Sequence, residues 1–374
     1  MTYKIGRTVT VSIEADLKKK IVLLAGPRQV GKTELSKALL TDHSRYLNWD
    51  FDLDREEILK AKWPQGPGLI VLDEIHKFSN WRNSLKGLFD KRRNEVQILV
   101  TGSARLEYYS YGGDSMQGRY YLHHLFPLTV AELGITTRAD FDSLLKFSGF
   151  PEPFNSGSEV ERKRWSRNYR SLLVREDLRD LERVTDIGKI EQLALRLPEL
   201  VASPLSYNSL REDLGVAHKT VVDWCNILER LFFIFKIFPF SNSRIRSLKK
   251  MPKHYHFDWA LVDQVGPALE NLVAVHLLNW CQFQIDVFGK DMRLAYFRDL
   301  EKREVDFIIL EDDLPVKAIE CKKGFKGIDP SLRYFKSVFP ATECIQVELD
   351  CEKPYQNEDG IKVTPLISFL SALK

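Results

Sequence analysis

Residues 26–33 read GPRQVGKT, which matches the spacing G-x-x-x-x-G-K-[ST]. In such a stretch the glycines free the backbone to turn its N–H groups onto an anionic phosphate. A lysine then reaches the outer phosphates, and a hydroxyl meets a magnesium ion. The expected phosphate-binding set is Gly26, Pro27, Arg28, Gln29, Val30, Gly31, Lys32, Thr33 and Glu34. Lys32 would sit on the β/γ-phosphates of ATP and Thr33 on Mg²⁺. Residues 69–78 read LIVLDEIHKF, four apolar residues followed by two carboxylates. Carboxylates at the end of a buried strand are costly unless they have a partner. Asp73 suits Mg²⁺ coordination through water, and Glu74 suits orienting or deprotonating the attacking water.

A second constellation lies in EVDFIILEDDLPVKAIECKKG, residues 304–324. VDFIIL and VKAIEC read as strands joined by a tight turn at Asp312, Asp313 and Leu314. Folding about Asp313 sets Asp306 opposite Glu320, each seven residues away. Directly opposed Cβ atoms lie about 4.5–5.5 Å apart, and like charges there destabilise a hairpin unless something compensates. Lys322, two residues past Glu320, projects from the same face. The plainer alternative is an exposed face on which Lys322 and Lys323 neutralise Glu320.

The first group needs a parallel sheet to position it. IVLLAG (21–26) is a continuous apolar run, as a strand buried on both faces should be, and KTELSKALL (32–40) has helical spacing. VQILVTGSARL (96–106) predicts a third buried strand ending in Thr101 and Ser103. Polar residues at the carboxyl end of a parallel strand face the ligand crevice, so one of them could sense the γ-phosphate, or both could be turn residues. RYYLHHLFPLT (119–129) predicts another strand. Arg119 at its start is either an arginine finger, on its own nucleotide or a neighbour's, or a solvated charge. A role in trans would require a homo-oligomer.

Beyond residue 130 the pattern turns helical. VERKRWSRNYRSLLVREDLRDLERV (160–184) interleaves Arg and Lys with acids, as a solvated face or a phosphate-tracking groove would. Residues 206–237 predict a helix ending near Leu214, a turn at Gly215, and a second amphipathic helix through Val221, Cys225 and Leu228. An apolar strand follows. This is the order of a helix-turn-helix with a wing, and Arg244, Arg246, Lys249, Lys250 and Lys253 in the wing would meet a DNA backbone.

With 374 residues, 44% of them hydrophobic, the chain exceeds one ordinary core. Its formal net charge is +3, so any basic patch is local. Five cysteines without a C-x-x-C pair argue against a structural zinc and fit a reducing, cytoplasmic setting. The amino-terminal residues lack an apolar signal region, and LERLFFIFKIFPF is broken by Lys236 and Pro239, so no membrane segment is expected.

GPRQVGKT, LDEIHKFSNW, LVTGSARL and GRYYLHHLFPLTVAEL, in this order, resemble the ATPase domain of an AAA+ superfamily group of bacteria and archaea (AAA_14). That group often carries a C-terminal domain of unknown function, DUF4143, which FSGFPEP (147–153) and EVDF…IECK (304–322) also resemble. The resemblance implies an ATPase with a nucleic-acid-linked or defence-linked partner domain. The Asp306, Glu320 and Lys322 spacing resembles the PD-(D/E)xK nucleases. There the acids bind Mg²⁺, and the lysine positions water or stabilises charge on the scissile phosphate. That superfamily also places an acid on a preceding helix, matched by Glu270 in ALENLVAVHLLNW.

The expected fold is α/β in three parts: a P-loop AAA+-like domain with a parallel sheet and helical lid (1–195), a winged helix-turn-helix (196–260) and a restriction-endonuclease-like α/β domain (261–374). The expected function is ATP hydrolysis by a protein acting on DNA, with or without metal-dependent cleavage. The competing expectation is a nucleotide-gated switch whose inactive C-terminal domain binds DNA or a protein.

Overall fold

Short strands with few polar side chains can bury both faces by lying side by side in a parallel sheet covered by helices. The computed structural model describes residues 6–63, 66–102, 116–174, 186–241, 250–324 and 327–373. The chain divides into two units, Met1–Phe126 and Pro127–Lys374.

The first unit runs α1 (Thr10–Leu17), β1 (Ile21–Ala25), α2 (Lys32–Ala38), β2 (Arg45–Asn48), α3 (Asp52–Leu59), β3 (Gly68–Asp73), α4 (Trp81–Arg92), β4 (Val96–Thr101) and β5 (Tyr120–His124). The strands form one parallel sheet in the order β2-β3-β4-β1-β5. Every residue of β1 is buried. Ile21 and Leu23 join Ile70, Leu72, Ile98 and Val100 in a core that also takes Trp81, Leu85 and Leu88 of α4. β4 lies between β1 and β3, so the carboxyl ends of β1, β4 and β3 stand in a row. The phosphate loop, Thr101 and Asp73 share that edge.

The second unit begins with α5 (Val130–Leu133), α6 (Arg138–Phe147), α7 (Pro151–Ser156), α8 (Glu159–Leu172) and α9 (Ile187–Arg196). Next come α10 (Tyr207–Leu214) and α11 (His218–Arg230). Gly215 closes α10 at φ 61°, and the N–H of Val216 bonds back to Arg211. This left-handed cap is what a glycine allows at a helix end. The strands β6 (Ile234–Pro239) and β7 (Lys253–His256) pair antiparallel. They are followed by α12 (Val265–Phe288), β8 (Met292–Arg298), β9 (Glu304–Glu311), β10 (Leu314–Lys322), α13 (Pro330–Val338), β11 (Glu343–Glu348), β12 (Tyr355–Gln356), β13 (Lys362–Pro365) and α14 (Leu366–Ser371).

Eight strands of this unit form a single sheet, in the order β12-β13-β11-β10-β9-β8-β6-β7. The helix-turn-helix strands expected to stand apart as a wing are its edge, because the last residues of β6 pair with β8. A domain boundary at 260 would cut this sheet, and the division at Phe126 falls well before the 195 expected. Arg244, Arg246 and Lys249 lie outside the described residues. Lys250 is exposed, but Lys253, taken as a wing cation, is fully buried.

At Gly26, φ is 141°, and a Cβ built there would stand 2.1 Å from the Leu125 carbonyl oxygen. Gly26→Ala should therefore destabilise the first unit by about 1–3 kcal/mol. Gly87→Ala meets nothing within 4 Å and lies mid-helix in α4, so it should stabilise by about 0.5–1 kcal/mol. Urea unfolding of both variants checks the pair of opposite signs.

Candidate active site

The loop between β1 and α2 turns on three left-handed residues, Gly26, Gln29 and Gly31. Lys32 lies along it, with Nζ donating to the carbonyls of Gly26 (2.8 Å) and Pro27 (2.6 Å). Arg7 braces the same loop by donating to the Val30 carbonyl at 3.1 Å. Asp73, buried at the end of β3, accepts from three hydroxyls. Thr33 donates to Oδ2 at 2.9 Å, Tyr46 to Oδ2 at 2.6 Å, and Thr101 to Oδ1. Burial, and then the bond to Asp73, push the Tyr46 phenol above its usual range, so the hydroxyl keeps its proton. Hard oxygen donors of this kind suit the Mg²⁺ that accompanies a nucleotide, and Thr33 and Asp73 are the residues that would hold it.

Glu74 follows in a left-handed conformation, φ 55°. Such a backbone costs a non-glycine residue energy and tends to persist where a side chain must be aimed. Its carboxylate is mostly buried, 3.6 Å from both His76 Nε2 and Lys77 Nζ. Burial raises the Glu74 pKa against the opposing pull of Lys77 and Arg28. A carboxylate so placed is a better base than an exposed one.

Thr101, at the carboxyl end of β4, donates to Asp73, while Ser103 lies outside the described residues. Arg119 does not meet the arginine-finger expectation in its own chain. Its backbone carbonyl accepts from Ile21 at the amino end of β1. The phosphate loop leaves the other end, roughly 16 Å away along a five-residue strand. Its guanidinium forks onto Asp90, at 2.8 and 3.1 Å. Tyr46 was missed because the strand RYLN is too short and polar to stand out, and Arg7 because it lies before the first helix with no motif around it.

In the second unit, Asp306 and Glu320 do face each other, and the Asp306 N–H donates to Glu320 Oε2 at 3.2 Å. Opposition depends on a bulge at Pro315/Lys317. The strands start with Leu314 opposite Glu311, and only the extra residue restores the register that places 320 opposite 306. A second bulge, where β8 shifts between Ala295 and Phe297, lets Val305 and Ile308 enter the same core. Bulges commonly re-aim side chains beside sites. Here Asp306 comes toward α12, which carries Glu270.

Lys322 Nζ bridges Glu320 (2.7 Å) and Asp329 (2.9 Å). Lys253 Nζ stands 3.2 Å from Glu270, 2.7 Å from Glu304 and 3.7 Å from Asp306. Burial lowers the Lys253 pKa, but Glu270, Asp306 and Glu304 together outweigh it and leave the lysine charged. Of the expected metal triad, Glu270 and Asp306 thus meet at the Lys253 ammonium, while Glu320 faces Asp306 and is paired with Lys322. Among the described residues, no three His, Cys, Asp or Glu side chains are arranged to hold a metal ion. The metal expectation for this cluster does not fit its geometry.

Family models match three successive stretches: an AAA domain over 18–134, a domain of unknown function (DUF8612) over 138–270, and DUF4143 over 265–369. The chain is an AAA+ ATPase-family protein with a C-terminal DUF4143 domain. The Rv2008c protein of Mycobacterium tuberculosis is 24% identical over 253 residues, 66% of this chain. This chain spans 56% of that relative's length. The MJ1637 protein of Methanocaldococcus jannaschii is 24% identical over 397 residues, 87% of this chain and 80% of that protein.

Among solved structures, the ORC1 protein of Aeropyrum pernix in complex with DNA overlaps 69% of this chain and 91% of its own. Identity is 14% and the TM-score 0.34. A DNA polymerase III gamma subunit-related protein of Thermotoga maritima overlaps 60% and 83%, with 13% identity and a TM-score of 0.26. Both scores lie below the level at which two chains share a fold along their length. Among the described residues no helix is long and apolar enough to cross a membrane.

Two expectations follow. Tyr46→Phe removes one donor to Asp73, and losing such a support should weaken Mg²⁺-nucleotide binding or turnover by about 10-fold. Titration with a fluorescent nucleotide analogue checks it. Burial, and then Asp306, raise the Glu270 carboxyl from 4.5 to about 7. A raised folded-state pKa gives stability that is complete below the ordinary carboxyl range and is lost as pH rises toward 7. The DUF4143 unit should therefore weaken over that interval, and Glu270→Gln should flatten the slope in urea melts taken across pH.

Proposed function

We propose that this protein binds and hydrolyses ATP in its AAA domain and uses its second unit to hold duplex DNA without cutting it, the nucleotide state setting the hold. The observation that carries the ATPase half is Asp73 tied to Thr33 and Thr101, with Glu74 beside it on a strained backbone. Lys32 and the loop N–H groups would bind the phosphates, and Glu74 would orient and deprotonate the water that attacks the γ-phosphate. Mg²⁺, when bound with ATP, neutralises charge on the phosphate oxygens. Thr33 and Asp73 would hold that ion.

The DNA half rests on the helix, glycine turn and helix of α10 and α11. His218 and Lys219 are exposed at the start of α11, and the basic segment 244–250 follows β6. Holding is favoured over cutting because two of the carboxylates that cleavage would use, Glu270 and Asp306, face a buried lysine, and the third, Glu320, is paired with Lys322. Salt-sensitive binding of duplex DNA is expected, since the contacts are to phosphate. A Mg²⁺-dependent cleavage of supercoiled or branched DNA that disappears in Asp306→Ala would restore the cutting reading.

Glu74→Gln separates binding from chemistry. It should bind ATP as the wild type does and hydrolyse it about 100- to 10,000-fold more slowly, the usual worth of a positioned base. Phosphate release and nucleotide binding, measured side by side with and without duplex DNA, test this. Wild-type turnover in the variant, or no nucleotide binding in the parent, would sink the ATPase reading.

A further inference from the structure

A buried cluster of carboxylates needs positive charge, and at a metal-dependent phosphodiester site that charge comes from a divalent ion. In the DUF4143 unit the chain itself supplies a cation. Lys253 is 1% exposed and rises from β7 into the cluster. Its Nζ is within 3.2 Å of Glu270 Oε1, 2.7 Å of Glu304 Oε1 and 3.7 Å of Asp306 Oδ1. The Tyr296 ring closes another side, with its centroid 5.6 Å away.

Other donors share these carboxylates. Tyr255 donates to Glu270 Oε1 at 2.7 Å, and the Cys321 N–H donates to Asp306 Oδ2 at 3.0 Å. Glu320 takes the Asp306 N–H on Oε2 and Lys322 on Oε1. Magnesium demands oxygens at about 2.0–2.1 Å in a near-ideal octahedron. To enter between Glu270 and Asp306 it would have to expel an ammonium whose strand is paired with β6 along its length.

We infer that Lys253 is a resident cation standing where a divalent metal would sit between Glu270 and Asp306, so that this carboxylate site does not take a metal. Lys253 belongs to the strand that returns from the helix-turn-helix, so the same ion pairs fasten that segment to β9 and α12. The inference deepens the reading of this unit as one that holds without cutting. It is read without nucleotide or DNA, so its failure leaves ATP hydrolysis and DNA binding standing.

The probe is Mn²⁺, followed by the EPR signal of the free ion against the whole chain without nucleotide. Wild type and Asp306→Asn should retain equal amounts. Lys253→Met, similar in length but uncharged, should retain one further Mn²⁺ ion, lost again in Lys253→Met combined with Asp306→Asn. Mn²⁺ that the wild type retains and Asp306→Asn releases overturns the inference, as does a folded Lys253→Met protein that gains none. If Lys253→Met does not fold, the comparison of wild type with Asp306→Asn decides alone, equality upholding the inference and a deficit refuting it.

Discussion

A carboxylate buried at the end of a strand persists when donors meet its oxygens, and both sites of this protein are organised by that need. Asp73 draws its donors from three separate elements: Thr33 at the start of α2, Tyr46 on the edge strand β2, and Thr101 on β4. One side chain thereby ties the phosphate loop to the two strands that flank β3. If Asp73 were apolar, Thr33 and Thr101 would lose their common partner, and the loop would be held chiefly by its own backbone and Arg7.

The two sites meet the same need with different chemistry. Hydroxyls are neutral donors, so Asp73 keeps its charge available to a cation arriving with a nucleotide. Lysine brings charge of its own. Around Lys253 part of the electrostatic demand of Glu270, Glu304 and Asp306 is met inside the chain. An arrangement that favours capture of Mg²⁺ with substrate in the first unit therefore opposes it in the second, although both are built from acids at strand ends.

Backbone irregularities decide which side chains meet. The bulge at Pro315/Lys317 restores a register that the turn at Asp312 and Asp313 would otherwise miss by one residue. A slip of one residue moves a side chain to the opposite face of a sheet. Asp306 lies on β9 at the shift opposite Ala295/Phe297, with Lys253 Nζ 3.7 Å away. Glu74 uses a left-handed backbone for a similar purpose in the first unit.

Local chemistry was legible without coordinates. Glycine, lysine and hydroxyl spacing specifies a phosphate loop because the loop is eight consecutive residues. An apolar run ending in Asp73 and Glu74 specifies a buried acidic strand end for the same reason. The facing of Asp306 and Glu320 was also readable, since the hairpin is short, although counting about Asp313 succeeded only because a bulge made up the difference. Strand order was not readable: β4 inserts between β1 and β3 through parallel crossovers whose pairing leaves no mark in any one segment. Arg119 was a candidate arginine finger from its place at a strand start, but parallel strands begin at one edge of the sheet and present their ligand crevice at the other. Lys253 looked like a solvated wing cation beside other basic residues. Only the fold decided that it is buried, because its three carboxylate partners come from α12 and β9, which are separate in sequence and meet it in space.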